Sequence, residues 1–162
     1  MAKIILGIDP GIADTGYGVI TEEKGKLTCL AYGSIKTAAG TDLISRLDTL
    51  HKQLDGLIKK HRPQLVAIEQ LFFNKNVKTA LIVGQARGVV LLTIKQNGLP
   101  TIDFTPAQVK RAVCAYGQAD KRQVQKMVQM ILKLKELPRP DDAADALAIA
   151  ICALNSRLCL KN

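Results

Sequence analysis

Cysteine, histidine and aromatic residues are all scarce in this 162-residue chain, and each scarcity excludes something. The four cysteines, Cys29, Cys114, Cys152 and Cys159, form no CxxC pair. Neither a zinc framework nor a disulfide scaffold is expected, and a reducing, cytoplasmic compartment fits best. The two histidines, His51 and His61, lie on a polar, lysine-rich segment and read as residues of a surface helix end. No Ser-His-Asp arrangement is legible. No apolar run approaches the ~20 residues of a membrane span; the richest, Ala146 to Leu154, has nine. The start, Met1-Ala2-Lys3 before Ile4-Ile5-Leu6, lacks the apolar length and cleavage site of a secretory signal. With 48% apolar and 23% charged residues, disordered and collagen-like classes are excluded. The length suits a single domain over 1–162 that buries roughly 70% of its unfolded surface.

Acidic residues are also few: 14 against 23 basic, a net charge of +9. The excess sits in one stretch. Gln70 to Lys135 holds eleven basic and two acidic residues, and the remainder balances to zero. A basic tract of this kind suits a polyanionic partner such as nucleic acid. A solvated surface kept for solubility is the blander alternative.

Strands are predicted over Ile4–Asp9, Tyr17–Thr21 and Leu27–Ile35, joined by short turns as an antiparallel meander. Leu43, Ile44, Leu47, Leu50, Leu54, Leu57 and Ile58 recur at helical spacing, which predicts a helix over about 41–61. A buried strand Leu65–Glu69, an apolar helix Thr79–Gln96 and a strand Thr101–Phe104 follow. Thr105-Pro106 opens a helix that places Val109, Ala112, Val113 and Tyr116 on one side and closes at Gly117. Asp120 with Gln123 resembles a capping box, ahead of the stripe Val124, Met127, Val128, Ile131 and Leu132. The last helix runs from Asp141 to about Leu158. The expected fold is α/β: a five-stranded mixed sheet, three antiparallel strands then two parallel, flanked by helices.

Four of the few acids occupy apolar settings. Asp9 and Glu69 end strands, while Asp142 and Asp145 share one face of the last helix, with Asp145 embedded among alanines. Buried carboxylates are costly, and neighbouring ones repel. A hard divalent cation relieves both problems and suits in-line displacement at phosphorus. Alternatives remain for single residues: Asp9 before Pro10-Gly11 as a turn residue, and Asp141 (or Asp142) as a helix N-cap. Gly11 and Gly16 have phosphate-loop spacing, but Tyr17 replaces the required Lys. With Gly18 they read better as the makings of a tight hairpin.

The motifs Gly-Ile-Asp9-Pro-Gly with Thr-Gly-Tyr-Gly-Val, Glu69-Gln with Asn-Lys-Asn, Gly84-Gln-Ala-Arg-Gly88-Val, and Asp142-Ala-Ala-Asp145-Ala-Leu-Ala-Ile-Ala together resemble the RuvC family of Holliday junction resolvases. The resemblance spans nearly the whole chain. It implies a ribonuclease-H-like fold and a dimeric, Mg²⁺-dependent endonuclease (Mn²⁺ substituting, one or two ions per site). Such an enzyme nicks two strands of like polarity across a four-way DNA junction in recombination and repair. It implies Asp9, Glu69, Asp142 and Asp145 as metal ligands and catalytic acids, with Asp141 a possible competitor of Asp142. Lys110 and Lys121 would face the scissile region. Phe72 would stack on an unpaired base, with Phe73, Lys75, Lys78 and Arg111 as further DNA contacts. The Gly84–Gly88 helix would serve the homodimer, and the branch-migration proteins RuvA and RuvB would be partners. A core role for Phe72 and Phe73, a non-enzymatic DNA-binding module, and a ribonuclease-H-like enzyme acting on RNA–DNA hybrids are the rival readings.

Overall fold

The computed structural model describes residues 2–71 and 77–156. Phe72, Phe73 and Lys75 lie outside the described residues.

Five strands form one sheet: β1 (Lys3–Asp9), β2 (Asp14–Glu23), β3 (Lys26–Lys36), β4 (Leu65–Glu69) and β5 (Thr101–Phe104). Their order is β3-β2-β1-β4-β5, with β1–β2 and β2–β3 antiparallel and β1–β4 and β4–β5 parallel. The mixed sheet is therefore as expected. β1 lies at its centre and is covered on both faces, which explains its nearly unbroken apolar run. β3 lies at the edge and alternates between half-buried and exposed residues along most of its length.

Among the described residues, five helices accompany the strands: α1 (Leu43–His61), α2 (Val77–Gln96), α3 (Pro106–Cys114), α4 (Lys121–Leu132) and α5 (Asp141–Asn155). Their ends follow local chemistry. The Asp42 side chain caps α1 through Ser45, and capping boxes open α3 (Thr105 with Gln108) and α4 (Asp120 with Gln123). Three details differ from the sequence reading. α3 closes on Ala115 in the left-handed region (φ 56°), not at Gly117. α5 has Pro140 as its N-cap, so Asp141 and Asp142 both lie in the first turn instead of capping it. Tyr116 and Ile44, assigned to apolar stripes, are exposed.

The sheet separates two cores. One packs Leu6, Ile8, Val19, Val66 and Ile68 with Leu50, Leu54 and Ile58 of α1 and Ala86, Val90 and Ile94 of α2. His51 belongs to this layer rather than to a helix end: its Nδ1 is 2.8 Å from Thr93 Oγ1 of α2. The other core packs Ile5, Ile20 and Ala67 with α3, α4 and α5. Strand side chains alternate, so Gly7 and Asp9 follow Ile5, and Glu69 follows Ala67, onto the α5 face.

Helix α5 is buried almost all round, from Ala143 to Leu154 with Asp145 as the half-buried interruption. Such a helix belongs in a core. Glycines set its distance from the sheet. A Cβ on Gly7 would run into the Ala146 carbonyl oxygen, one on Gly16 into the Asp142 carbonyl, and one on Gly18 would lie 2.8 Å from Leu147 Cδ2. Gly16 and Gly18 lie in the β1–β2 hairpin, paired with Asp9 and Gly7, and their smallness also makes room for the helix above.

Gly16→Ala is expected to destabilise the chain by about 1–3 kcal/mol, because backbone must move to admit one methyl. Gly56→Ala, on an exposed face of α1 with nothing within 4 Å, should instead stabilise it by about 0.5–1 kcal/mol. Urea unfolding of both variants checks the pair. A Gly16→Ala midpoint equal to the parent's would show that α5 does not need this approach.

Candidate active site

The C-terminal ends of β1 and β4 lie side by side. Ile8 is in register with Ile68, so Asp9 and Glu69 leave neighbouring parallel strands at one end of the sheet. The loop from Asp9 into β2 is braced by buried hydroxyls. Thr15 Oγ1 donates to the Gly11 carbonyl at 2.5 Å, and Thr37 Oγ1 donates to the Ile12 carbonyl while accepting from Arg46 Nε at 2.9 Å. The first two turns of α5 cross above, held close by Gly16. One carboxylate oxygen each from Asp9, Asp142 and Asp145 then lies within 4.8 Å of the others. Glu69 is outside that tight set. It remains near enough for its charge to act on Asp9, and for Asp145 to act on it. Asp141 is also outside the set, and this separates it from Asp142 structurally.

Electrostatics mark the group as strained. Burial, then the charges of Glu69, Asp145 and Asp142, push Asp9 up to about 8. Glu69 is raised by burial and by Asp145, with Lys110 opposing. Burial also raises Asp142 and Asp145, and Lys121 opposes the rise in both. The N-terminal end of α5 adds partial positive charge near Asp142. Lys121, first residue of α4, sits with its Nζ 3.3 Å from Asp141 Oδ2 and 3.7 Å from Asp145 Oδ2. The structure therefore brings Lys121 to the acids. Lys110 of α3 is near enough for its charge to act on Glu69. Lys78 and Arg111 are exposed, on α2 and α3.

One residue escaped the sequence reading. Arg87 of α2 is nearly buried and donates from Nη1 to the Glu69 carbonyl oxygen (3.1 Å) and from Nη2 to Asp103 Oδ2 (2.7 Å). With Gln70 N–H on the Phe104 carbonyl at 2.8 Å, it fixes the end of β4. A lone Arg inside the apolar Gly84–Gly88 segment was the available signal.

The strand order, with acids at the ends of β1 and β4 and on a final helix, defines a ribonuclease-H-like fold carrying an acidic centre. A family model described as crossover junction endodeoxyribonuclease RuvC matches residues 5–153. The RuvC of Heliobacterium modesticaldum is 54% identical over 153 residues, covering 94% of each chain. That of Caldanaerobacter subterraneus is 51% identical, covering 94% of this chain and 92% of the relative. Among solved structures, T. thermophilus RuvC in complex with a Holliday junction substrate superposes with a TM-score of 0.85 at 36% identity, over 94% of this chain and 92% of that one. The yeast mitochondrial resolvase Ydc2 shares the fold (TM-score 0.66, 16% identity, 93% and 78% coverage). The chain belongs to the RuvC family of crossover junction endodeoxyribonucleases.

The raised Asp9 has a thermodynamic consequence of definite sign. Its folded form holds a proton more tightly than the unfolded chain does. The associated stability is full below pH ~4 and is lost as pH rises through about 8. In divalent-free buffer the thermal midpoint should fall between pH 5 and pH 8.5, and Asp9→Asn should flatten that fall and melt higher than the parent at pH 8.5. A divalent cation should reverse that order by stabilising only the parent. Identical pH slopes for both chains would show that Asp9 carries no such penalty.

Proposed function

We propose that this chain cuts four-way DNA junctions by metal-dependent phosphodiester hydrolysis, as one ribonuclease-H-like domain within a homodimer. The observation that carries the reading is the convergence of Asp9, Asp142 and Asp145 oxygens within 4.8 Å, in a chain of this family. The donor set fits a hard divalent cation: all oxygen, clustered, and raised by burial and mutual repulsion. We assign Asp9, Glu69, Asp142 and Asp145 to hold Mg²⁺, or Mn²⁺ in its place, as one or two ions. When bound, such ions supply Lewis acidity and charge neutralisation at the scissile phosphodiester.

The remaining roles fall to the chain's own cations and aromatics. Lys121 beside Asp145, and Lys110 near Glu69, would stabilise negative charge as it grows on the phosphate. Lys75, Lys78 and Arg111 within the basic tract would hold the DNA backbone and give binding its salt dependence. Phe72 would stack on an unpaired base at the opened junction, with Phe73 beside it.

The homodimer reading rests on α2. One side of this helix packs on α1, whereas Val77, Leu81 and Leu92 are exposed at 81%, 64% and 57%. By length and composition α2 could also cross a membrane, but its buried side and inward Arg87 tie it to the sheet. Gly84 and Gly88 have open space where a Cβ would stand, so their smallness is not needed for packing among the described residues. A second copy laid on this face would present two equivalent sites to two like strands, and paired incision follows from twofold symmetry. A cytoplasmic setting in recombination and repair, with RuvA and RuvB as branch-migration partners, completes the reading.

The test is a synthetic mobile four-way junction with Mg²⁺, compared with linear duplex and RNA–DNA hybrid. Asp9→Asn, Glu69→Gln and Asp145→Asn should each lower junction cleavage at least ~100-fold, with junction affinity held within a few-fold. Chelation should abolish cleavage of the parent. Equal cutting of linear duplex, or preference for the hybrid, would refute the junction reading. Phe72→Ala should slow cleavage by roughly fivefold or more, the equivalent of ~1 kcal/mol of stacking; an unchanged rate would return Phe72 to a core role.

A further inference from the structure

Lys121 stands between two carboxylates of α5 that lie one helical turn apart. Asp145 belongs to the converged acidic group and is the more buried; Asp141 lies outside the group, and its side chain is 57% exposed. The two oxygens of Asp141 are both engaged by α4. Oδ2 is 3.3 Å from Lys121 Nζ, and Oδ1 accepts from Gln125 Nε2 at 2.8 Å. Lys121 and Gln125 are themselves one turn apart on α4, so both reach Asp141, while Lys121 also reaches Asp145. Asp141 is therefore turned sideways toward α4, while its neighbour Asp142 turns inward toward Asp9.

This arrangement bears on a competition. An ammonium group and a divalent cation cannot both be the close counter-ion of the same Asp145 oxygens without repelling each other. We infer that Asp141 is a positioning residue that draws the Lys121 ammonium away from Asp145, freeing Asp145 for the cation and keeping the ammonium beside the site. The inference rests on the metal reading of the acidic group given above. It also divides the labour of the adjacent acids: Asp142 serves the centre, and Asp141 serves Lys121. Without the Asp141 charge, Asp145 is the one carboxylate within 4 Å of Lys121 among the described residues. The ammonium would then settle there, and a cation would have to displace it.

Mn²⁺ binding to the full chain, followed by the electron paramagnetic resonance signal of free Mn²⁺, tests this without any turnover. Asp141→Asn should weaken Mn²⁺ affinity by about three- to fivefold, the scale of one exposed ion pair. The same substitution in a Lys121→Ala background should change it by less than about twofold. Asp141→Glu, which keeps the charge, should restore affinity to within about twofold of the parent. Equal losses in the two backgrounds would show Asp141 acting on the cation by its own charge and would overturn the inference, as would no loss in either. A parent chain that binds no Mn²⁺, indistinguishable from Asp145→Asn, would instead remove the metal reading itself.

Discussion

The closeness of α5 to the sheet is the constraint on which the site depends. Three glycines on β1 and β2 let helix backbone take the space that side chains would otherwise fill, and alanines on α5 keep the other surface low. The contact at Gly16 falls on the carbonyl of Asp142, a residue of the acidic group. Packing and chemistry therefore meet at one peptide unit. A displacement of α5 by even 1 Å would open the carboxylate group, and tolerances of that size govern positioned catalytic groups. The parallel register of β1 with β4 does the same work from below, because Asp9 and Glu69 extend the same side-chain alternation that puts Ile5 and Ala67 in the α5 core.

Closeness has an electrostatic cost. Five of the chain's 14 acidic residues, Asp9, Glu69, Asp141, Asp142 and Asp145, gather at one end of the sheet. Burial raises the four inner ones, and their charges oppose one another. Lys121 offsets part of this, and the α5 N-terminus another part. The almost wholly apolar remainder of α5 supplies the burial that keeps the acids in place regardless. Local conflict of this kind, inside an otherwise consistent core, marks a place shaped for binding rather than for stability.

How far this was legible in the sequence depended on the range of the interactions. Elements closed by local chemistry were readable: Thr105-Pro106 and Asp120 with Gln123 cap α3 and α4 as their spacing required. The acids at strand ends and on the last helix were readable as costly. Their convergence was not, because it depends on strand order and on the height of α5, both set by contacts distant in sequence. The same limit explains the differences. Gly16 and Gly18 read only as makers of a hairpin because the helix above them lies some 130 residues downstream. His51 read as a surface residue because its partner, Thr93, belongs to another helix. Asp141 read as a cap because the sequence does not show α4 alongside it, with Lys121 and Gln125 facing it.

Helix α2 links the remaining parts. Its inner side carries Ala86, Val90 and Ile94 into the core shared with α1, and its outer side leaves Val77, Leu81 and Leu92 uncovered. Between the two, Arg87 reaches the carbonyl of Glu69 and the carboxylate of Asp103. Removing the Arg87 guanidinium would take a donor from the part-buried Glu69 carbonyl, so the position of α2 and the end of β4 are not independent. A second copy packed on the outer side would hold the same helix that braces the end of β4. Assembly and alignment would then share a single element, and the two sites of a twofold pair would each be set by the contact that relates them.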